Sequence, residues 1–186
     1  MSRIGRAPIE LPQNVTVDQT TEGVVIVTGP KGTLRQKVDS CITLEKGEHN
    51  EKPAVILTRN SDDKDVRAKH GLYRALLANM VKGVSEGYTK SLTVAGVGYK
   101  LAVNGNKLTM NIGFSHPVNV EIPEGLTVTL PTATEILVGG IDKEKVGQFA
   151  ADIKAIKPVE PYHGYGIHYT KETVRRKEIK KGSKKK

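Results

Sequence analysis

The chain has 186 residues, of which 37% are hydrophobic, 26% charged and only 4% aromatic, and it carries a formal net charge of +9. That length accommodates one domain or two small ones around aliphatic cores, and the apolar fraction excludes a chain disordered throughout. No apolar run approaches the roughly 18 residues of a membrane span, no secretory leader is expected from the opening MSRIGRAPIELP, and the single Cys41 excludes an intrachain disulfide and fits a reducing compartment.

Ser2 to Pro12 is basic at Arg3 and Arg6 and punctuated by Pro8 and Pro12, so it reads as an extended arm. Val15 to Val17 and Val24 to Thr28 are β-branched runs parted by a turn at Thr20 to Gly23. Gly29-Pro30-Lys31-Gly32 is a second turn, followed by a strand over Thr33 to Val38. Cys41 to Leu44 and Ala54 to Thr58 are further strands, divided by a polar loop over Glu45 to Pro53, with Cys41 expected as a small buried hydrophobe. At Ser61 the pattern changes. Asp62 and Asp63 suit a helix N-terminus by capping and charge. Val66, His70, Tyr73, Leu77 and Met80 then mark one helical face, which Gly83 and Gly87 close.

The alternation begins again with strands over Lys90 to Ala95, Gly98 to Val103 and Lys107 to Ile112, the last two joined at Asn104-Gly105-Asn106. Strands over Val118 to Ile122, Leu126 to Leu130 and Glu135 to Val138 come next, and Asp142 opens a helix with Val146, Phe149, Ile153 and Ile156 inward, stopped by Pro158. A gapless shift of 80 carries Ile56-Leu57 onto Ile136-Leu137, Asp62 onto Asp142 and Val66 onto Val146. Strand, cap and helix face agree together, which is the mark of an internal duplication. The fold class expected is therefore α+β: two tandem units, each a small antiparallel sheet with one helix packed on one face. The boundaries predicted are 1–81 for the first unit with its arm, 82–169 for the second, and 170–186 for a basic tail.

Motifs with catalytic or ligand-binding overtones fail on inspection. Gly96-Val97-Gly98-Tyr99-Lys100 lacks the third glycine and the succeeding helix of a nucleotide loop, and reads as a bulge or close backbone contact. His163 and His168 have no second ligand pair beside them, so no metal is expected. Ser115-His116 has no positioned acid, and no constellation for catalysis or a cofactor emerges, so no enzyme and no small-molecule substrate is expected.

Several weak signals coincide at Pro158 to Tyr169, PVEPYHGYGIHY, and in the basic residues after it. Three of six tyrosines, two glycines and two histidines fall in that stretch, and Thr170 to Lys186 holds nine Lys/Arg against two Glu, a net +7 of the chain's +9. Cations neutralise phosphate and release counterions. Tyrosines can stack on unpaired bases, and glycines admit close backbone approach. The stretch reads as an outward-presented RNA contact composed of Tyr162, His163, Gly164, Tyr165, Gly166, Ile167, His168 and Tyr169, then Arg175, Arg176 and Lys177, with Arg3 and Arg6 as second-rank contacts. A protein-docking module with a solubilising tail is the alternative.

The motifs also carry a resemblance. The opening Ser2-Arg3-Ile4-Gly5-Arg6 with Pro8-Ile9, the segments Gly29-Pro30-Lys31-Gly32, Gly96-Val97-Gly98-Tyr99-Lys100, Ser115-His116-Pro117 and Pro123-Glu124-Gly125, then Glu160-Pro161-Tyr162 and Arg175-Arg176-Lys177, stand in order along the chain. In them it resembles the bacterial-type large-subunit ribosomal protein six family, which commonly has Lys or Arg at the places of His163, Tyr165 and His168. The resemblance implies two duplicated α+β units, a cytoplasmic ribosomal location and a structural role in translation. It implies binding to large-subunit rRNA through the second unit and tail, near the sarcin–ricin region and stalk base. Neighbouring ribosomal proteins and docking translation GTPases would lie close by.

Overall fold

The computed structural model of the protein describes residues 4–20, 23–49 and 52–178. The chain forms two units, one holding the residues up to Tyr88 with Gly140–Lys143, the other Thr89–Gly139 with the residues from Glu144 onward.

In the first, β1 (Ile9–Glu10), β2 (Thr16–Gln19), β3 (Val24–Gly29), β4 (Gly32–Lys37), β5 (Ile42–His49) and β6 (Lys52–Arg59) precede α1 (Lys64–Ser85). The strands pair antiparallel in two sheets, ordered β2-β3-β4 and β1-β6-β5. Period-two alternation turns Val25 and Val27 of β3 and Val55 and Leu57 of β6 inward, and α1 closes over them with Leu77, Met80, Val81 and Val84. Each such side chain contributes on the order of 1.5–3 kcal/mol on burial, so a core with almost no aromatic residues suffices. Cys41 is half-buried against this core.

Three expectations fail here. The polar loop at 45–53 is instead the outer part of a hairpin, with Glu45 paired to Ile56 and His49 to Lys52. Exposed polar residues complete a backbone ladder as well as apolar ones do. Pro53, with no N–H to give, offers its carbonyl to the Leu11 N–H at 2.8 Å. Asp63 stands at the N-cap of α1 but its side chain makes no capping bond; Ser61 Oγ accepts the Asp63 N–H at 3.2 Å. Gly83 does not close the helix. It lies within it, because a Cβ there would collide with the Ile141 carbonyl, and the predicted boundary at 81/82 accordingly falls inside α1. The helix ends where the Glu86 and Gly87 N–H groups both reach the Lys82 carbonyl, at 2.9 and 3.2 Å.

Apart from the end residues Tyr88, Gly140 and Lys143, the second unit contains β7 (Tyr88–Ala95), β8 (Lys100–Asn104), β9 (Lys107–Asn111), β10 (Val118–Glu121), β11 (Leu126–Thr132), β12 (Glu135–Gly140), α2 (Lys143–Ile156) and β13 (Gly166–Tyr169). One sheet is ordered β8-β9-β10, the other β11-β12-β7-β13. Val146, Phe149, Ala150 and Ile153 form the buried face of α2. The architecture is α+β in two units of the same plan. β2-β3-β4 matches β8-β9-β10, and β1-β6-β5 matches β7-β12-β11, each set preceding its helix. The shift of 80 holds in the helices, where Val66, His70 and Tyr73 fall on Val146, Ala150 and Ile153. In the strands the buried positions are Val55 and Leu57 against Ile136 and Val138, a shift of 81. A one-residue slip reverses which side chains face inward, so the gapless alignment does not survive there. Among the described residues, β13, on the free side of β7, has no counterpart in the first unit. Among the described residues no helix is long and apolar enough to cross a membrane.

Candidate nucleic-acid interface

Pro158 ends α2 and the chain doubles back. The Glu160 N–H donates to the Tyr165 carbonyl at 2.8 Å and the Gly164 N–H to the Glu160 carbonyl at 3.0 Å, closing a tight loop. From Gly166 the chain runs antiparallel to β7, Gly166 opposite Ala95 and Tyr169 opposite Leu92. This corrects the outward contact expected from the sequence, because the stretch completes a sheet. Ile167 is fully buried, so its side chain is a core group and not an RNA contact. The two glycines serve the fold in the same way. Gly166 has φ of +142°, and a Cβ would lie 2.7 Å from the Pro158 carbonyl oxygen and the Val159 Cα. Gly164 has φ of +79°, and its Cβ would lie 2.7 Å from Arg176 Nε. The close approach that the glycines permit is to the chain's own atoms. A four-residue edge strand with one apolar side chain is too short for its alternation to show in sequence.

Residues after β13 continue against the unit. The Thr170 N–H reaches the Ser91 carbonyl at 3.1 Å, and the Lys177 N–H reaches the Pro161 carbonyl at 2.8 Å. The Glu172 carboxylate accepts from Lys154 Nζ at 2.7 and 2.8 Å and from the Tyr169 N–H at 3.2 Å. The Lys154 bond, then the Tyr169 N–H, holds the Glu172 carboxyl below the usual carboxylate range. The first residues of the predicted basic tail are thus a strap tied at both ends; residues 179–186 lie outside the described residues. Arg175, Arg176 and Lys177 on the strap are exposed and have no acidic partner among the described residues.

The aromatic groups divide by environment. His163 and Tyr165 stack, ring centroids 5.5 Å apart and planes 14° from parallel. Glu160 accepts the His163 N–H at 3.0 Å and lies 3.2 Å from its Nδ1. The His163 N–H, foremost, keeps the Glu160 carboxyl below its ordinary range. Tyr162 and Tyr165 are exposed to 48% and 41%. Tyr169 is half-buried, with the ammonium groups of Lys154 and Lys90 at 4.8 and 5.4 Å from its ring centre. His168 is half-buried, its Nδ1 3.0 Å from the Tyr169 carbonyl. The structure therefore brings Tyr162, His163, Tyr165, Arg175, Arg176 and Lys177 together on the loop and strap, and turns Gly164, Gly166 and Ile167 inward. Arg6 belongs to the first unit, where it lines a hollow with Arg59, Asp62 and His70; Arg3 lies outside the described residues.

Sequence reasoning missed Lys157. Its ammonium donates to the Ile112 carbonyl at 2.5 Å and sits 5.0 Å from the Tyr99 ring centre and 4.9 Å from that of Phe114. Gly96 packs directly under the Tyr99 ring, the close contact expected of that glycine loop. Phe114 is exposed to 43% and Val97 to 85%. Nothing in the local sequence distinguishes Lys157 from other lysines, since its neighbours come from distant loops.

A sequence profile of the family described as Ribosomal protein L6 matches residues 11–87 and 95–170, one match to each unit. A protein of Clostridium beijerinckii named large ribosomal subunit protein uL6 is 52% identical over 184 residues, 99% of this chain and the whole of that protein. A uL6 protein of Thermoanaerobacter sp. is 48% identical over the same span, again 99% of this chain and all of the relative. With one profile match on each unit and end-to-end similarity to these relatives, the chain belongs to the ribosomal protein L6 family.

Proposed function

We propose that the protein is a structural constituent of the large ribosomal subunit that binds large-subunit rRNA through its second unit and the residues after it. The relatives' name, large ribosomal subunit protein uL6, supports the particle. The observation that carries the RNA-facing side is the strap: Arg175, Arg176 and Lys177 are exposed without acidic partners among the described residues, while Glu160 and Glu172 are engaged by the fold. Cations carried on a backbone already tied to the unit meet phosphate without the further cost of ordering the chain. The division of function follows the two units: the second unit and residues 170–186 form the RNA side. The finer location is the one the resemblance implies: near the sarcin–ricin region and stalk base, beside neighbouring ribosomal proteins and the docking place of translation GTPases, in the cytoplasm.

Replacing Arg175 and Arg176 by Ala should weaken binding to large-subunit rRNA and flatten its salt dependence by about one unit per lost phosphate contact. An unchanged slope in a filter-binding titration removes both from the interface. Deleting the last 17 residues, 170–186, should abolish RNA binding; a deletion that leaves it intact favours the protein-docking alternative.

A further inference from the structure

We propose that the His163–Tyr165 stack is a platform for one unpaired nucleobase, with the Arg175–Lys177 strap holding the phosphate beside it; this rests on the RNA-binding reading above and names the part of the nucleic acid that the loop takes.

Three features of the loop point to a base rather than to phosphate alone. The rings are nearly parallel, at 14°, and both are open to solvent: Tyr165 is exposed to 41% and the His163 side chain to 60%. A flat, open π surface is what a base stacks on. The stack is also held in advance. Glu160 fixes His163 through backbone and ring, and the Glu160 N–H ties to the Tyr165 carbonyl at 2.8 Å. The rotamer entropy of the His163 ring and the backbone freedom of Tyr165 are thereby largely spent on folding. Finally, the Arg176 guanidinium lies against Gly164, between the two ring-bearing residues. A base on the stack would carry its own phosphate toward that cation. A peptide complements only half of the surface: an acidic one would satisfy the strap but leave the rings idle, and an apolar one would leave the three strap cations without an anion. Tyr169 is not part of the platform, because Lys90 and Lys154 already lie over its ring.

The test uses the full chain and an RNA hairpin with a single bulged 2-aminopurine, alongside the same hairpin with an abasic bulge. Binding should quench the aminopurine fluorescence. Tyr165→Leu should abolish the quenching and weaken binding roughly 5- to 100-fold without altering the salt slope, and Tyr165→Phe should restore both. On the abasic hairpin, wild type and Tyr165→Leu should bind alike. Unquenched aminopurine with an affinity indifferent to Tyr165→Leu would overturn the platform and assign the rings to a protein neighbour. If Arg175→Ala/Arg176→Ala still lowers the salt slope in that case, the RNA-binding reading survives alone; if it does not, both fall. Tyr165 is exposed, so its variants should keep the wild-type thermal midpoint; His163→Leu, which removes the other exposed ring of the stack, is read in parallel and should lose the quenching too, and retained quenching in both variants overturns the platform.

Discussion

Gly166 shows how one residue can suggest one partner and serve another. A glycine beside tyrosines and cations suggests an open backbone for RNA to approach. Its φ of +142° and the 2.7 Å from its would-be Cβ to the Pro158 carbonyl instead make it a condition of the fold. Gly166→Ala should therefore destabilise the protein with no RNA present, by about 1–3 kcal/mol, read as a lower denaturant midpoint. An unchanged midpoint would return the glycine to the interface. The exposure of Tyr162, Tyr165, Arg175 and Arg176 was legible because a polar stretch of aromatics and cations needs no partner within the chain to explain it. The burial of Gly164, Gly166 and Ile167 was not, since which side of a short segment faces inward depends on a strand some seventy residues earlier, β7.

At the level of elements, legibility tracks length. α1 and α2 repeat their apolar spacing over several turns, so their faces could be read from sequence. The β5–β6 extension and β13 lack such repetition and are defined by pairing alone. β13 and the strap should nevertheless behave as one piece, because Glu172 joins the strap to α2 through Lys154 and to β13 through the Tyr169 N–H. Those bonds favour the ionised carboxylate, and its pKa in the fold lies below the ordinary 4.5. The stabilisation is therefore fully present above the unfolded value and is lost as pH falls through the depressed one. Amide exchange of Tyr169 and Thr170, corrected for intrinsic rates, should lose protection below about pH 4.5. Glu172→Gln should lower that protection at neutral pH and remove its dependence on acid. Equal protection in the variant would mean that backbone pairing alone holds the strap.

For the whole molecule, charge and fold are separable. The two units repeat one plan, and among the described residues what distinguishes the second is the added β13 with its loop and strap, the group that gathers exposed rings and cations without acidic partners. Beyond Glu178 the sequence adds Lys180, Lys181, Lys184, Lys185 and Lys186 with no aromatic residue. Cations without rings supply affinity that falls with salt and carries little sequence information. A chain ending at Glu178 should therefore bind rRNA more weakly at low salt, with a slope smaller by up to roughly 3.5–4.5 units if all five lysines meet phosphate. It should approach the full chain's affinity as salt rises, and it should keep the full chain's preference for the bulged over the abasic hairpin. That preference would belong to residues 158–177, whose geometry the fold holds in place. Loss of the preference on truncation, with the salt slope unchanged, would reverse the division and make the lysine-rich end the part that reads the RNA.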